Sequence, residues 1–244
     1  MVDTSSQKPL VTVTGISGYC GSQIALSLLQ DGNYRVRGTV RDKNNAAKLD
    51  PLRTCFGDLF NQIELVEADL TNDESLVNAV QGSTFVLHVA SPFFFGNSEA
   101  ELVTPAVEGT KSIMRACQAA GVRRCVITSS IASVIYATGK ASDHVLTEED
   151  WSDASNPEMG MYPRSKYLAE KAAWDFHASL PEAEKFELVT ILPGFVLVPA
   201  LRTESSVSID FCRNALTSAG PLAAGIPYRC FPMVDVRDVA FAHL

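Results

Sequence analysis

Tyr162 and Lys166 stand four residues apart in the stretch MYPRSKYLAE, residues 161–170. On a helix, this spacing places the two side chains on the same face, one turn apart. A tyrosine hydroxyl can deliver a proton to a reacting oxygen, and a nearby ammonium is expected to lower the pKa of that hydroxyl. Ser130, at the end of TSS (128–130), can polarise the same oxygen. These three residues meet the needs of a carbonyl reduction, provided that a hydride donor binds beside them.

A glycine-rich loop upstream is the candidate site for that donor. The stretch VTGISGYCGSQ places Gly15, Gly18 and Gly21 between an apolar run and a helical pattern. Such glycines allow a tight turn, close approach of the backbone to a pyrophosphate and close packing of helix on strand. The N-terminus of the following helix attracts phosphate through its unpaired N–H groups and its dipole. The loop therefore predicts a dinucleotide site.

The end of the second apolar run bears on which dinucleotide binds. An NAD site usually has an acidic residue there, whereas RGTVRDK has Thr39 at that place, followed by Arg41. Arg41, helped by Lys48, can pair with the 2′-phosphate of NADP. Asp42 keeps NAD open as the alternative. Asp69, in ADL (68–70), is expected to meet the adenine amino group or, alternatively, to cap the turn that follows.

Short apolar runs and helical patterns alternate over the first two-thirds of the chain. Strands are predicted at 10–15, 35–40, 63–70, 84–91, 124–130 and 186–193, with helices at 22–32, 73–80, 108–121 and 167–180. Right-handed crossovers then give an α/β fold with a doubly wound parallel sheet of the Rossmann type. Pro163 suits the first turn of a helix, which puts Tyr162 at or just before that helix's start.

The alternation fails after Pro193, and this defines the predicted domains. Residues 1–193 form a dinucleotide-binding domain, on which 231–244 packs back, and residues 194–230 form part of a small substrate lobe. The segment 194–222 is predicted as a loop with one helix, and 228–244 as a short strand leading into a helix. The chain ends inside that helical pattern, so we expect the substrate lobe to be incomplete and the natural protein to be longer.

Composition and charge bound the functional class. The formal net charge of −8 argues against binding to nucleic acid or to an anionic membrane surface. The longest apolar stretch, 188–201, is too short and too interrupted by proline and glycine to span a bilayer. The cysteines at 20, 55, 117, 125, 212 and 230 lack metal-ligand spacing and are typical of a reduced, cytoplasmic protein. No metal site is predicted.

These motifs resemble those of the extended short-chain dehydrogenase/reductases. Within them, the sequence is similar to the group that contains dihydroflavonol reductase, cinnamoyl-CoA reductase, anthocyanidin reductase and fungal aldehyde/ketone reductases. The resemblance is carried by VTGISGYCGS, VRGTVRD, VEADL, HVASP, VEGT, VRRCVITSSIASV, YPRSKYLAEKAAW, ILPGFVLVP and VDVRDVA, which together cover nearly the whole chain.

The resemblance implies a catalytic triad of Ser130, Tyr162 and Lys166. It also implies NADP(H) contacts at Ser17, Gly18, Tyr19, Cys20, Arg41, Lys48, Asp69, Leu70, Val89, Ala90, Ser91 and Pro193, besides the loop glycines and the Tyr162/Lys166 pair. Flavonoid-reducing members have an asparagine shortly after the active serine. Ile135 stands at the apparent match, which favours an apolar or aromatic aldehyde or ketone over a polyhydroxylated flavonoid.

Three alternatives stay open at this point. A sugar-nucleotide epimerase or dehydratase with bound NAD, and a 3β-hydroxysteroid dehydrogenase-type oxidation, belong to the same superfamily. An NADP-sensing regulatory protein is the non-enzymatic alternative, although such proteins usually lose the Tyr/Lys pair that this chain retains. A monomer or a homodimer is expected.

Overall fold

The computed structural model describes residues 8–91, 98–141, 143–197, 200–201, 207–217 and 232–244. Its main sheet contains the strands β1 Leu10–Thr14, β2 Arg35–Val40, β3 Ile63–Glu67, β4 Phe85–His88, β5 Arg124–Thr128 and β6 Glu187–Ile191. All neighbouring pairs are parallel, in the order β3-β2-β1-β4-β5-β6. The predicted doubly wound parallel sheet is confirmed.

Seven helices are described: α1 Tyr19–Asp31, α2 Ala46–Phe56, α3 Asp73–Val80, α4 Glu99–Ala120, α5 Met161–Ser179, α6 Val207–Thr217 and α7 Val236–His243. One core lies between the sheet and α1, α2 and α7, with Ile24, Leu52 and Ala240 fully buried in it. The other core lies between the opposite face and α3, α4 and α5. Apolar residues thus cover both faces, as a buried parallel sheet requires.

The strand order reverses between β1 and β4, and this reversal positions the ligand crevice. From β1 the chain winds outward to β2 and β3, and then returns to β4 on the other side of β1. Because the two crossovers leave in opposite directions, the loops after β1 and β4 separate at the carboxyl edge of the sheet. All five residues of β1 are buried, so the crevice floor is fixed by the centre of the core.

A second, two-stranded sheet lies beyond β6. The strands β7 Phe195–Leu197 and β8 Met233–Asp235 pair in parallel. Gly194 makes this possible, since a Cβ atom there would overlap the carbonyl oxygen of Pro232. The same oxygen accepts a hydrogen bond of 2.8 Å from Phe195 N. The segment after Pro193 is therefore tied to the strand that leads into α7.

Several boundaries differ from those predicted. α4 begins at Glu99 rather than 108, because burial of Leu102, Val103 and Ala106 extends the helix through Pro105. α5 begins at Met161 rather than 167, which places Tyr162 and Pro163 in its first turn. The predicted strands at 63–70, 84–91 and 124–130 end two or three residues early, where the chain turns into the crevice. β7 was not predicted, since three residues carry too little pattern.

The division into residues 1–193 and 194–230 stays a prediction, and much of the second segment lies outside the described residues. α7 packs against α1 on the sheet. Within the described ranges, none of the helices has the length and apolar character needed to cross a membrane.

Candidate active site

The glycine loop is shaped by contacts that leave no space for side chains. Gly15 has φ of +68°, and a Cβ atom there would lie 3.0 Å from the Cα of Ala90. A Cβ atom on Gly21 would overlap the carbonyl oxygen of Gly15. Gly18 N donates to that same oxygen at 2.8 Å, which closes the turn. The backbone thus reaches α1 with no side chain between it and the crevice.

Thr39 holds this loop in place from the neighbouring strand. Its hydroxyl oxygen accepts a hydrogen bond of 3.0 Å from Gly15 N, and its carbonyl accepts one of 3.2 Å from Ile16 N. The side chain is buried, so it braces the loop from below. At the start of α1, no side chain caps the helix at Gly18. These first-turn amides fit a pyrophosphate, which uncapped helix N-termini bind readily.

Arg41 and its neighbours determine the charge at the far end of the loop. The Arg41 side chain is exposed and makes no hydrogen bond or ion pair with any described residue. Asp42, the residue that would favour NAD, instead accepts a hydrogen bond of 2.7 Å from Asn44 N in its own turn. Together with Lys48, Arg41 lines the crevice, so a cationic group stands where the 2′-phosphate of NADP is expected.

Asp69 caps a turn and lines the crevice as well. Its Oδ1 accepts hydrogen bonds from the Thr71 hydroxyl at 2.6 Å and from Thr71 N at 2.8 Å. These two bonds lower the pKa of the Asp69 carboxyl, with a smaller contribution from the charge of Arg41. The capping alternative therefore describes the observed contacts, and a contact to adenine stays a prediction.

Lys166 is anchored from the end of β5. Its ammonium donates a hydrogen bond of 2.9 Å to the carbonyl oxygen of Thr128. Burial lowers the pKa of Lys166 to about 8, against the opposing effect of Glu170 one turn along the helix. A buried amine with one fixed acceptor is held rigidly and keeps further N–H groups for other partners.

Tyr162 and Ser130 lie at the mouth of the same crevice. Tyr162 is 41% exposed, and Ser130 Oγ accepts a hydrogen bond of 3.2 Å from Ala132 N in a short 3-10 turn after β5. Partial burial in the crevice, with a smaller effect from Cys20, raises the pKa of Tyr162. The expectation that Lys166 lowers this pKa is therefore wrong for this geometry. The phenol stays protonated at neutral pH, as a proton donor must.

These side chains border one cavity of about 930 Å³. All the residues predicted for the site line it: Gly15, Ser17, Gly18, Tyr19, Cys20, Gly21, Arg41, Lys48, Asp69, Leu70, Val89, Ala90, Ser91, Ser130, Tyr162, Lys166 and Pro193. Their roles in binding and catalysis stay predictions. At the end near Ser130, the lining is largely apolar and aromatic, with Ile131, Ile135, Tyr136, Phe195 and Val196.

Sequence reasoning missed several residues that support this site. Thr39 was considered only as a missing acid, and its bond to the loop is a tertiary contact. His243, whose Nε2 lies 2.7 Å from the hydroxyl oxygen of Thr128, gave no local signal because it is 115 residues away. Among the described residues, no group of His, Cys, Asp and Glu lies together as metal ligands.

Comparison with known proteins agrees with this geometry. The model of the 3-beta hydroxysteroid dehydrogenase/isomerase family matches residues 12–191. The chain belongs to this family. A cinnamoyl-CoA reductase, CAD2, from Medicago truncatula is 34% identical over 249 residues, which are 100% of this chain and 73% of the relative. A dihydroflavonol 4-reductase from Zea mays is 39% identical over 225 residues, which are 89% of this chain and 61% of the relative.

A solved structure adds the cofactor to the comparison. The yeast methylglyoxal/isovaleraldehyde reductase Gre2, solved in complex with NADPH, superposes with a TM-score of 0.80 at 29% identity. The match covers 96% of this chain and 72% of that one. The expected resemblance to the dihydroflavonol reductase and cinnamoyl-CoA reductase group of the extended family is confirmed.

Proposed function

We propose that this chain is an NADPH-dependent reductase that transfers a hydride to the carbonyl of a small, apolar or aromatic aldehyde or ketone. The observation that carries the proposal is that Ser130, Tyr162 and Lys166 line the same cavity as the glycine loop and Arg41. The relatives of this chain are reductases by name, and Gre2 was solved with NADPH bound.

The residues present fit the cofactor. Gly15 and Gly21 leave no room for a side chain where the backbone meets the pyrophosphate, and the start of α1 has no side-chain cap. Arg41 is the cation for the 2′-phosphate, with Lys48 beside it in the crevice. Bound NADPH supplies the hydride.

The remaining steps belong to side chains of this chain. The Ser130 hydroxyl donates a hydrogen bond to the carbonyl oxygen of the substrate and polarises it. The Tyr162 hydroxyl delivers its proton to the same oxygen, where negative charge develops. The Lys166 ammonium, fixed by Thr128, stabilises the tyrosinate that remains. Such donors are effective because they are already oriented when the charge appears.

The substrate end of the cavity supports an apolar carbonyl compound. Ile135 is 44% exposed there, where flavonoid-reducing relatives are expected to have a polar asparagine. Phe195, whose ring packs edge-on against Phe211 with centroids 5.2 Å apart, also lines the cavity. A polyhydroxylated ring would lose hydrogen bonds to water against these side chains without replacing them.

The experiment that tests this proposal is NADPH oxidation against a panel of carbonyl compounds, repeated with NADH. The panel contains aromatic aldehydes, aliphatic ketones, 1,2-diketones and flavonoids. We expect turnover of apolar or aromatic members and a preference for NADPH. Activity with NAD on a sugar nucleotide, or on a hydroxysteroid in the oxidative direction, would favour those alternatives.

Tight NADPH binding with no turnover of any carbonyl by the full-length protein would favour a cofactor-sensing regulator. A cytoplasmic location and a monomeric or homodimeric state stay predictions of this proposal.

A further inference from the structure

A small cavity of about 20 Å³ borders the active-site lysine on the side of Glu170 and His88, and Lys166 also lines the main crevice. Its polar lining residues include Lys166, Glu170, His88, Thr110, Ser91 and Ser129, which directly follows β5. A cavity holds one water when about 10–15 Å³ is open to it and two to four polar partners surround it. This cavity meets both conditions.

His88 presents an N–H group that needs a partner. The hydroxyl oxygen of Thr14 accepts hydrogen bonds of 3.0 Å from Val89 N and from Ala90 N, and lies 3.0 Å from His88 Nδ1. Both lone pairs of that oxygen are used, so Thr14 donates its proton to Nδ1. Burial lowers the pKa of His88 to about 3, so the neutral ring has its proton on Nε2. Among the described residues, none accepts from Nε2.

Glu170 presents a buried carboxylate to the same cavity. The side chain is 4% exposed and accepts a hydrogen bond from the Ser129 hydroxyl and one of 3.4 Å from Trp174 Nε1. Lys166 donates to Thr128 and makes no direct ion pair with Glu170 in the described structure. Two opposite charges that face one cavity without touching are commonly joined by a water.

We infer that one water is bound in this cavity, that it joins Lys166 to Glu170 and His88, and that Glu170 and His88 are positioning residues for Lys166. The water accepts from His88 Nε2–H and from a Lys166 N–H, and it donates to the Glu170 carboxylate. The buried ammonium then has a second fixed partner behind it. This inference rests on the proposed function only for what Lys166 does in catalysis.

The groups that face Lys166 identify Glu170 as its main counter-charge. Cys20 comes from α1, but burial raises the pKa of its thiol to about 11, so it is neutral at pH 7. His88 on β4 is neutral, and Tyr162 on the same helix stays protonated. His243 on α7 contacts Thr128, and burial lowers its pKa. Glu170 is thus the anion that keeps Lys166 charged.

The first test titrates Lys166 directly, by NMR of protein labelled at the lysine Cε, with Lys166→Arg used to assign the signal. We expect Lys166 to titrate near 8 in the wild type and about one unit lower in Glu170→Gln. Glu108→Gln, at an exposed glutamate of α4 whose partner among the described residues is Lys111, is the matched control and should change nothing. An unchanged pKa of Lys166 in Glu170→Gln would overturn the inference.

The second test is a high-resolution crystal structure of the wild-type protein. We expect density for one water within hydrogen-bond distance of Lys166 Nζ, a Glu170 oxygen and His88 Nε2. A dry cavity would contradict the inference, and this result decides the matter even if Glu170→Gln does not fold. Neither test needs turnover, so a failure of the proposed function, seen as no reduction of any carbonyl, is distinguishable from a failure of this inference.

Discussion

The ammonium of Lys166 donates a 2.9 Å hydrogen bond to the carbonyl of Thr128, the last residue of β5. Thr128 is held in turn by His243, since its hydroxyl oxygen lies 2.7 Å from the ring Nε2. Thr128 therefore joins three elements: β5, to which it belongs, α5, which carries Lys166, and α7, which carries His243. The position of the lysine is set by the sheet edge, not by the flexible reach of its own side chain.

The charge of Lys166 predicts how activity depends on pH. Burial lowers its pKa from the ordinary 10.5 to about 8, and the proposed role needs the protonated form. The value of kcat/KM for NADPH, which reports groups of the free enzyme, should thus fall as the pH rises through about 8. A profile that stays flat from pH 7 to 10 would show that this ammonium is not needed.

Arg41 should decide the preference for NADPH. Replacing it with alanine removes a charge-assisted contact to the 2′-phosphate, worth about 1.5–3 kcal/mol, or about 10- to 150-fold in Kd. Fluorescence titration should show this loss for NADPH and almost none for NADH. Arg53→Ala is the control, because Arg53 is an exposed arginine of α2 that pairs with Asp50. Equal losses for both cofactors would contradict the assignment.

Gly21→Ala should disrupt the cofactor loop. The added methyl would overlap the Gly15 carbonyl, which is backbone and cannot move without opening the turn. We expect NADPH binding to be lost or strongly weakened, measured by titration of folded protein. Gly160→Ala is the matched control, since within the described part of the chain a Cβ atom there would meet just Pro163 Cδ, at an ordinary contact distance of 3.8 Å. Normal binding by Gly21→Ala would mean that the loop is more plastic than these contacts allow.

His88 predicts loss of stability in mild acid. The ring has a pKa of about 3 when folded, against an ordinary 6.5, so between these values only the unfolded state binds the proton. The free energy of unfolding should therefore decrease as the pH is lowered from about 6.5 towards about 3, by about 1.4 kcal/mol per pH unit from this group. Chemical denaturation at several pH values should show a shallower slope in His88→Gln. Identical slopes would mean that His88 is not held neutral.

Local spacing was enough to predict much of this site. The loop glycines lie close together in sequence, and so do Tyr162 and Lys166. Their relative positions are therefore set by local backbone structure. The doubly wound parallel sheet also followed from the alternation of short apolar runs with helices, whereas the strand order is known only from the structure. Helix starts were harder. Burial of Leu102, Val103 and Ala106 carries α4 through Pro105, whereas Pro163 lies in the first turn of α5, as expected.

Tertiary contacts account for what was missed. Glu170 follows Lys166 by four residues, so the sequence indicates that both lie on the same face of the helix. Its burial could not be predicted in this way, because it depends on a contact with Ser129 from another segment. His243 and Thr39 act on atoms that are distant in sequence. The pKa of Tyr162 was predicted in the wrong direction because charge was considered and burial was not.

The central claim is that Tyr162 donates the proton in an NADPH-dependent reduction, and Tyr162→Phe tests it most directly. Two quantities are measured on the same folded preparation: the Kd for NADPH, and the rate of NADPH oxidation with the best carbonyl substrate of the panel. We expect almost unchanged NADPH binding and a fall in turnover of about 10²- to 10⁴-fold, the usual contribution of a positioned acid. Turnover close to that of the wild type would contradict the claim.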